Sequence, residues 1–198
     1  MNILVEHLPE AIEIDGREYE INSDFRSCLR IILAFEDPEL AGAEKQSVMI
    51  DNLYKEHPDN MAEAMEKGVR FLNGGDDSES DSNLRLYSFE KDAPYIMAAF
   101  KQTHNVDLDS VEMHWWKFMA LFMDLGSETT FSQLIGLRKR VKTGKASKEE
   151  RQAAMEIKDI FDLPEVDYRT LEEREAEDAF MKKFRQRKQK CNTMDPSA

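Results

Sequence analysis

The chain has only two cysteines in 198 residues. Cys28 lies among apolar residues and Cys191 in a polar tail, so a disulfide framework has nothing to build on, and a reducing cytoplasm is the expected setting. Long apolar runs are missing too. Glu6 interrupts the run that ends at Val5, no basic n-region precedes it, and no stretch approaches the length that crosses a bilayer. The sequence therefore predicts neither secretion nor membrane insertion. Basic charge is short: 27 Lys and Arg stand against 40 Asp and Glu, for a formal net charge of -13. A net anion of this size repels phosphate backbones and favours basic or neutral partners.

Motifs of chemistry are equally scarce. There is no G-x-S-x-G, no P-loop and no dinucleotide fingerprint. The four histidines, His7, His57, His104 and His114, fall on separate segments without metal-type spacing. Among 40 carboxylates, nearness of any two carries little information. No catalytic residue, metal ligand or cofactor is predicted, and no enzymatic activity. Two basic stretches, one from Arg138 through Lys148 and one from Lys182 to Lys190, lack interleaved aromatics and any reader motif. They read as solvated faces or salt-bridging contacts rather than a nucleic-acid site.

What is present is helix. Charged residues make up 34% of the chain, which fits helices with narrow buried faces and broad wet ones. Before them, alternation in Ala11-Ile12-Glu13-Ile14 and Tyr19-Glu20-Ile21 across Asp15-Gly16 predicts a hairpin closed by a type I′ turn. So short a ribbon must lie on helices, pair with another ribbon or gain a strand from a second subunit. Ile12, Ile14, Tyr19 and Ile21 are therefore its candidate self-association residues.

Phe25, Cys28, Leu29, Ile32 and Leu33 predict a helix over about 24–36, and Val48, Met49, Ile50 and Leu53 a second. Met61, Met65, Val69 and Leu72 predict the apolar stripe of a third, ending at Asn73-Gly74-Gly75. Residues 73–82 carry much like charge and nothing to bury, which predicts a mobile loop. Asp92 is the expected cap of a helix reaching Asn105, with Tyr95, Ile96, Ala99 and Phe100 inward. The next helix is expected to be capped by Asp109 or Ser110 and closed by a left-handed Gly126. A helix through Phe131, Leu134, Ile135 and Leu137 ends at Gly144, and the Ser147/Glu150 capping box predicts one from Lys148 to about Phe161. A last helix, about Leu171 to Lys188, has acids in its first half and bases in its second, over a thin apolar stripe. The expectation is a mainly α fold: a helical bundle over 1–165 with its small N-terminal β-hairpin, then a charged helical arm and disordered tail over 166–198.

Both tryptophans stand side by side in HWWKFMALFMDL. Around this helix Trp115, Trp116, Phe118, Met119, Phe122 and Met123 spread over most of the circumference, which predicts burial. Adjacent indoles point about 100° apart, so at least two neighbouring elements are expected to cover them. Those neighbours are either other helices of the chain, making the helix its core, or a partner polypeptide lying against adaptable methionines.

DGREYEINSDFR, the long block from LYSFEKDAPYIMAAF through HWWKFMALFMDLGSETTFSQLIGLRKR, and VDYRTLEEREAEDAFMKKF together resemble a family of small tail-module proteins of long-tailed bacteriophages of Gram-positive bacteria. Members resemble tail assembly chaperones encoded beside the tape-measure gene. The resemblance implies a largely helical protein of the host cytoplasm, oligomeric, that coats the tape-measure protein and helps recruit tail-tube subunits. It brings no catalytic residues. The alternative it leaves is a structural tail or connector component retained in the virion.

Overall fold

The computed structural model describes residues 4–75 and 84–164. The predicted acidic loop, but for 73–75, and the C-terminal arm fall outside the described residues. Two strands, β1 (Ala11–Ile14) and β2 (Arg17–Glu20), pair antiparallel with Ile14 opposite Arg17. Asp15 (φ 49°) and Gly16 (φ 77°) make the two-residue turn, both left-handed as a type I′ turn requires. Eight helices follow among the described residues: α1 (Phe25–Glu36), α2 (Gly42–Leu53), α3 (Met61–Leu72), α4 (Ala93–His104), α5 (Trp115–Met123), α6 (Thr130–Lys142), α7 (Lys148–Glu156) and α8 (Lys158–Phe161). The fold is thus mainly helical with a small N-terminal hairpin.

The helices pack in series. The hairpin lies on α3, α3 on α2, α2 on α1, and α1 on α5; beyond α5 come α4, α6, α7 and α8 in turn. The aromatic helix therefore sits in the middle of the series. Ile12, Ile14, Tyr19 and Ile21 are all buried in the chain's own core, so the ribbon rests on helices and these side chains face inward.

Several boundaries depart from the sequence expectation for reasons that lie in tertiary contacts. α5 starts at Trp115, not after Asp109 or Ser110, because a short bridge joins its entry to that of α1: Trp115 N–H donates to Ser23 O (2.7 Å) and Phe25 N–H to Met113 O (2.9 Å). Its cap is His114, whose Nδ1 accepts from Trp116 N–H at 3.1 Å while Nε2 faces Pro9 O at 3.0 Å. Gly126 does not take a positive φ; its N–H donates to Thr103 Oγ1 (3.1 Å), and a Cβ there would stand 3.3 Å from the same atom. Close approach is what selects glycine. The predicted helix from Lys148 is interrupted at Ile157 (φ -103°, ψ 28°), although its capping box forms, with Glu150 N–H to Ser147 Oγ (3.2 Å) and Ser147 N–H to Glu150 Oε2 (3.0 Å).

α3 is turned from its predicted face. Ala64, Gly68 and Phe71 are buried, while Met61 and Val69 remain exposed. The reason is contact with α2: a Cβ on Gly68 would lie 2.3 Å from Met49 Cε, and Tyr54 OH donates to Ala64 O at 2.7 Å. Small residues one turn apart let the two backbones close up, which gains more contact than burying a methionine row.

Candidate functional site: the aromatic helix and its cleft

α5 holds its two indoles differently from the expected arrangement. Both ring N–H groups go to one neighbour, the end of α3: Trp115 Nε1 donates to Leu72 O and Trp116 Nε1 to Phe71 O, each at 2.8 Å. The last carbonyls of a helix have no partner within it, and successive indoles reach successive carbonyls. The rings then diverge as helical geometry demands. Trp115 stacks on Phe118 (5.5 Å between centroids), and Trp116 covers Phe71 (5.8 Å) and Gly75, where a Cβ would meet its ring at 3.1 Å. This is why the chain spends both tryptophans on adjacent positions.

The six predicted core or partner-facing residues separate into three groups. Trp115, Phe118 and Phe122 are buried, Trp116 and Met119 half-buried, and Met123 is 80% exposed. Phe118 is the hub of a ring stack, with Phe25 at 4.9 Å and Phe100 at 5.0 Å, both close to parallel, and Phe122 at 6.0 Å. Tyr87, Phe89 and Phe131 extend the stack around Phe122 at 5.2 to 5.4 Å.

α1 and α4 flank α5 and leave a cleft between them, above Phe118. It encloses about 240 Å³, with Phe25 and Leu29 on one wall, Phe89 and Met97 on the other and Leu108 at one end. Met97 forms a lip that is 47% exposed. Arg26 fixes the rim: its guanidinium lies 4.5 Å over the Phe25 ring and donates to Val111 O (2.9 Å), Leu108 O (2.6 Å) and Asp109 O (3.0 Å). Such a volume is below that of most small-molecule pockets and suits one or two apolar side chains of another polypeptide. A larger depression of about 620 Å³ near the end of α1 has a charged lining that includes Glu36 paired with Arg85 at 2.7 Å.

Sequence reasoning placed Phe25, Leu29 and Ile96 on apolar stripes but missed Phe89 and Met97 as cleft walls, since neither stands at the spacing of its neighbours. It also missed a buried polar centre beside the aromatic stack. Asp92, the expected cap of α4, makes no capping bond. Its carboxylate instead accepts from Arg138 Nη1 (2.6 Å) and Nη2 (3.0 Å) and from Ser88 N–H (3.0 Å), with both ion-pair side chains sealed from solvent. Arg138 gives its remaining donors to Leu86 O (3.1 Å), Ile160 O (2.7 Å) and Phe161 O (2.8 Å). All five guanidinium N–H groups are thereby used. One residue of the basic stretch is thus a structural clamp on α4, α8 and the segment before Asp92.

Elsewhere burial suppresses reactivity. The Cys28 thiol is pushed up to about 12, first by desolvation and then by Asp24, which leaves it without thiolate character at neutral pH. Among the described residues no group of three or more His, Cys, Asp or Glu is placed to hold a metal ion, and no helix is long and apolar enough to cross a membrane.

Residues 4–163 match the sequence model of the family described as Bacteriophage Gp15 protein. The chain belongs to this family. It is therefore a phage protein, and membership points to the structure or morphogenesis of the particle. No curated protein and no solved structure matches the chain.

Proposed function

We propose that this Gp15-family protein is a tail assembly chaperone that binds the tape-measure protein, keeps it soluble in the host cytoplasm and helps recruit tail-tube subunits. The observation that supports this reading is the apolar cleft over Phe118, open between two helices and edged by an exposed methionine. A tape-measure chain is long and helical, with apolar residues that need cover until the tube encloses it. A cleft for one or two side chains grips weakly, and many copies along one chain give avidity that can still be released. Flexible methionine adapts to side chains of different shape. The strong net negative charge keeps the coated complex soluble.

Co-expression with the tape-measure protein, followed by pull-down and mass measurement, tests this directly. The wild-type chain is expected to carry the tape measure into the soluble fraction, and Met97→Glu, a change on an exposed lip, to lose it. Unchanged solubility of the tape measure with Met97→Glu and Leu29→Glu together would remove the cleft from the proposal. Stoichiometric recovery of the protein in purified virions would replace the chaperone reading with that of a retained tail component.

A further inference from the structure

The depression near the end of α1 has an unbalanced lining. About 620 Å³ in volume, it takes four carboxylates, Glu36, Asp37, Glu39 and Glu90, against one base, Arg85. Arg85 is engaged by Glu36 at 2.7 Å and by Pro164 O at 2.6 Å. Among the described residues Asp37, Glu39 and Glu90 have no ion pair, and Glu39 and Glu90 are exposed. Lys45, Lys91 and Lys142 donate to Phe35 O, Asp162 O and Arg85 O, and none of the three is in the lining. Leu33, Ala34 and Leu40 give the same depression an apolar side. Pro164, the last described residue, stands in its wall, so the chain that follows starts from there.

We propose that residues 180–190 of the same chain dock in this depression. They hold Phe180, Met181 and Phe184 with six bases and no acid. That composition offers apolar surface to the Leu33 side and positive charge to three carboxylates that have no ion pair. Residues 165–178, with seven acids against two bases, carry the wrong sign. The register is thereby selected, the near part of the segment being repelled and the far part held. Fifteen residues, 165–179, join the wall of the depression to Phe180. With 171–179 helical, as the sequence predicts, that part advances about 14 Å, and 165–170 extended cover about 20 Å, enough to lead the chain back. A connection this short holds the segment at an effective concentration on the order of 1 mM, which favours it over a second copy or a separate basic peptide at micromolar concentration. The inference does not depend on which protein the Phe118 cleft holds.

A nitroxide on the full-length chain decides it. Cys28 is fully buried, so a thiol reagent is directed to Cys191, next to the basic run. In isotopically labelled protein the spin label is expected to broaden the amide signals of Leu33 to Leu40 and of Glu90, and less so as salt screens the charges. In a mixture of spin-labelled but isotopically silent chain with unmodified, isotopically labelled chain those signals are expected to stay sharp. Glu39→Lys with Glu90→Lys, both at exposed positions, is expected to abolish the broadening with unchanged circular dichroism. Lys183→Glu, Arg185→Glu and Arg187→Glu added to that pair are expected to restore it by reversing both signs. Sharp signals in the singly labelled chain, or broadening confined to Lys139–Lys148 or to the Phe118 cleft, would overturn the proposal. Equal broadening in the mixture would overturn it too, by giving the depression to the segment of a second copy.

Discussion

Phe118 and Arg138 are both closed to solvent, yet they hold the protein by different physics. Around Phe118 the contacts are many, apolar and interchangeable: ring lies on ring with no donor or acceptor to satisfy, so stability is lost in proportion to the surface removed. Around Arg138 there are few contacts and each is obligatory. Five donors meet five acceptors in a space without water, and removing one partner strands charge where nothing can solvate it. The apolar centre can yield a cleft at its edge and still stand, which makes it the part of the molecule suited to holding something else. The polar centre can only be whole or broken, and it fixes the frame around that cleft.

The largest effect expected from breaking this contrast is at the ion pair. Arg138→Met should cost about 3–5 kcal/mol in urea unfolding by leaving Asp92 buried and unpaired, while Asp92→Leu together with Arg138→Met should recover only the part due to the stranded carboxylate, since Leu86 O, Ile160 O, Phe161 O and Ser88 N–H still lack their partners. If the double variant is no more stable than the single one, the pair is not the all-or-none element described. Phe118→Leu, which keeps an apolar side chain at the hub, should cost about 1.5 kcal/mol and leave the far-ultraviolet circular dichroism intact, a graded response. Smaller again is the loss of an indole N–H. Trp115→Phe should cost about 1 kcal/mol for the hydrogen bond, since Leu72 O loses the donor, besides the buried ring surface it removes beside Phe118, and hydrogen exchange at the end of α3 should quicken. Trp116→Phe should cost less, because Phe71 O keeps the Gly74 N–H at 3.0 Å.

The smallest effect at neutral pH is that of titration, which is expected to be nil there and to grow only in base. Burial pushes Cys28 from 9.0 and Tyr54 from 10.0 up to about 12 in the folded chain. A raised folded value means that the folded state keeps protons the unfolded state has released. The stabilisation is complete below the unfolded values and is lost as pH rises towards 12. Unfolding curves between pH 8 and about 11 should fall first from near 9 and more steeply beyond 10. Cys28→Ala should remove the earlier part of the slope and leave that of Tyr54.

Much of this organisation was legible in the residues. Asp15-Gly16 dictated a left-handed turn, Asn22-Ser23-Asp24 an entry to α1 at which Asp24 serves as the cap, and Ser147 with Glu150 the start of α7, because each depends on backbone conformation and side-chain reach within four residues. The aromatic density around Trp115 marked a helix that must be covered, by the chain or by a partner, since such a girth is not left wet; the structure shows the chain itself burying Trp115, Phe118 and Phe122. Illegible were the choices between competing partners. Asp92 has the chemistry of a cap and stands in the cap position, but a buried guanidinium 46 residues away holds it more strongly than a helix N–H would. His114 displaced Asp109 and Ser110 as a cap because Ser23 draws Trp115 into a bridge.

The same distinction applies to the surfaces. Periodicity by itself determined that α3 would have an apolar row at Met61, Met65 and Val69, that α5 would be aromatic and that charge would be uneven along the chain. Only the packed structure decided that α3 would turn Ala64 and Gly68 inward, leaving Met61 and Val69 to solvent, and that α1 and α4 would part over Phe118 to make a cleft. Sequence fixes which faces a helix can offer, because side-chain direction follows from 1.5 Å of rise and about 100° of turn per residue. Which face is used depends on how closely two backbones can approach, and that is a property of the pair rather than of either strand of residues.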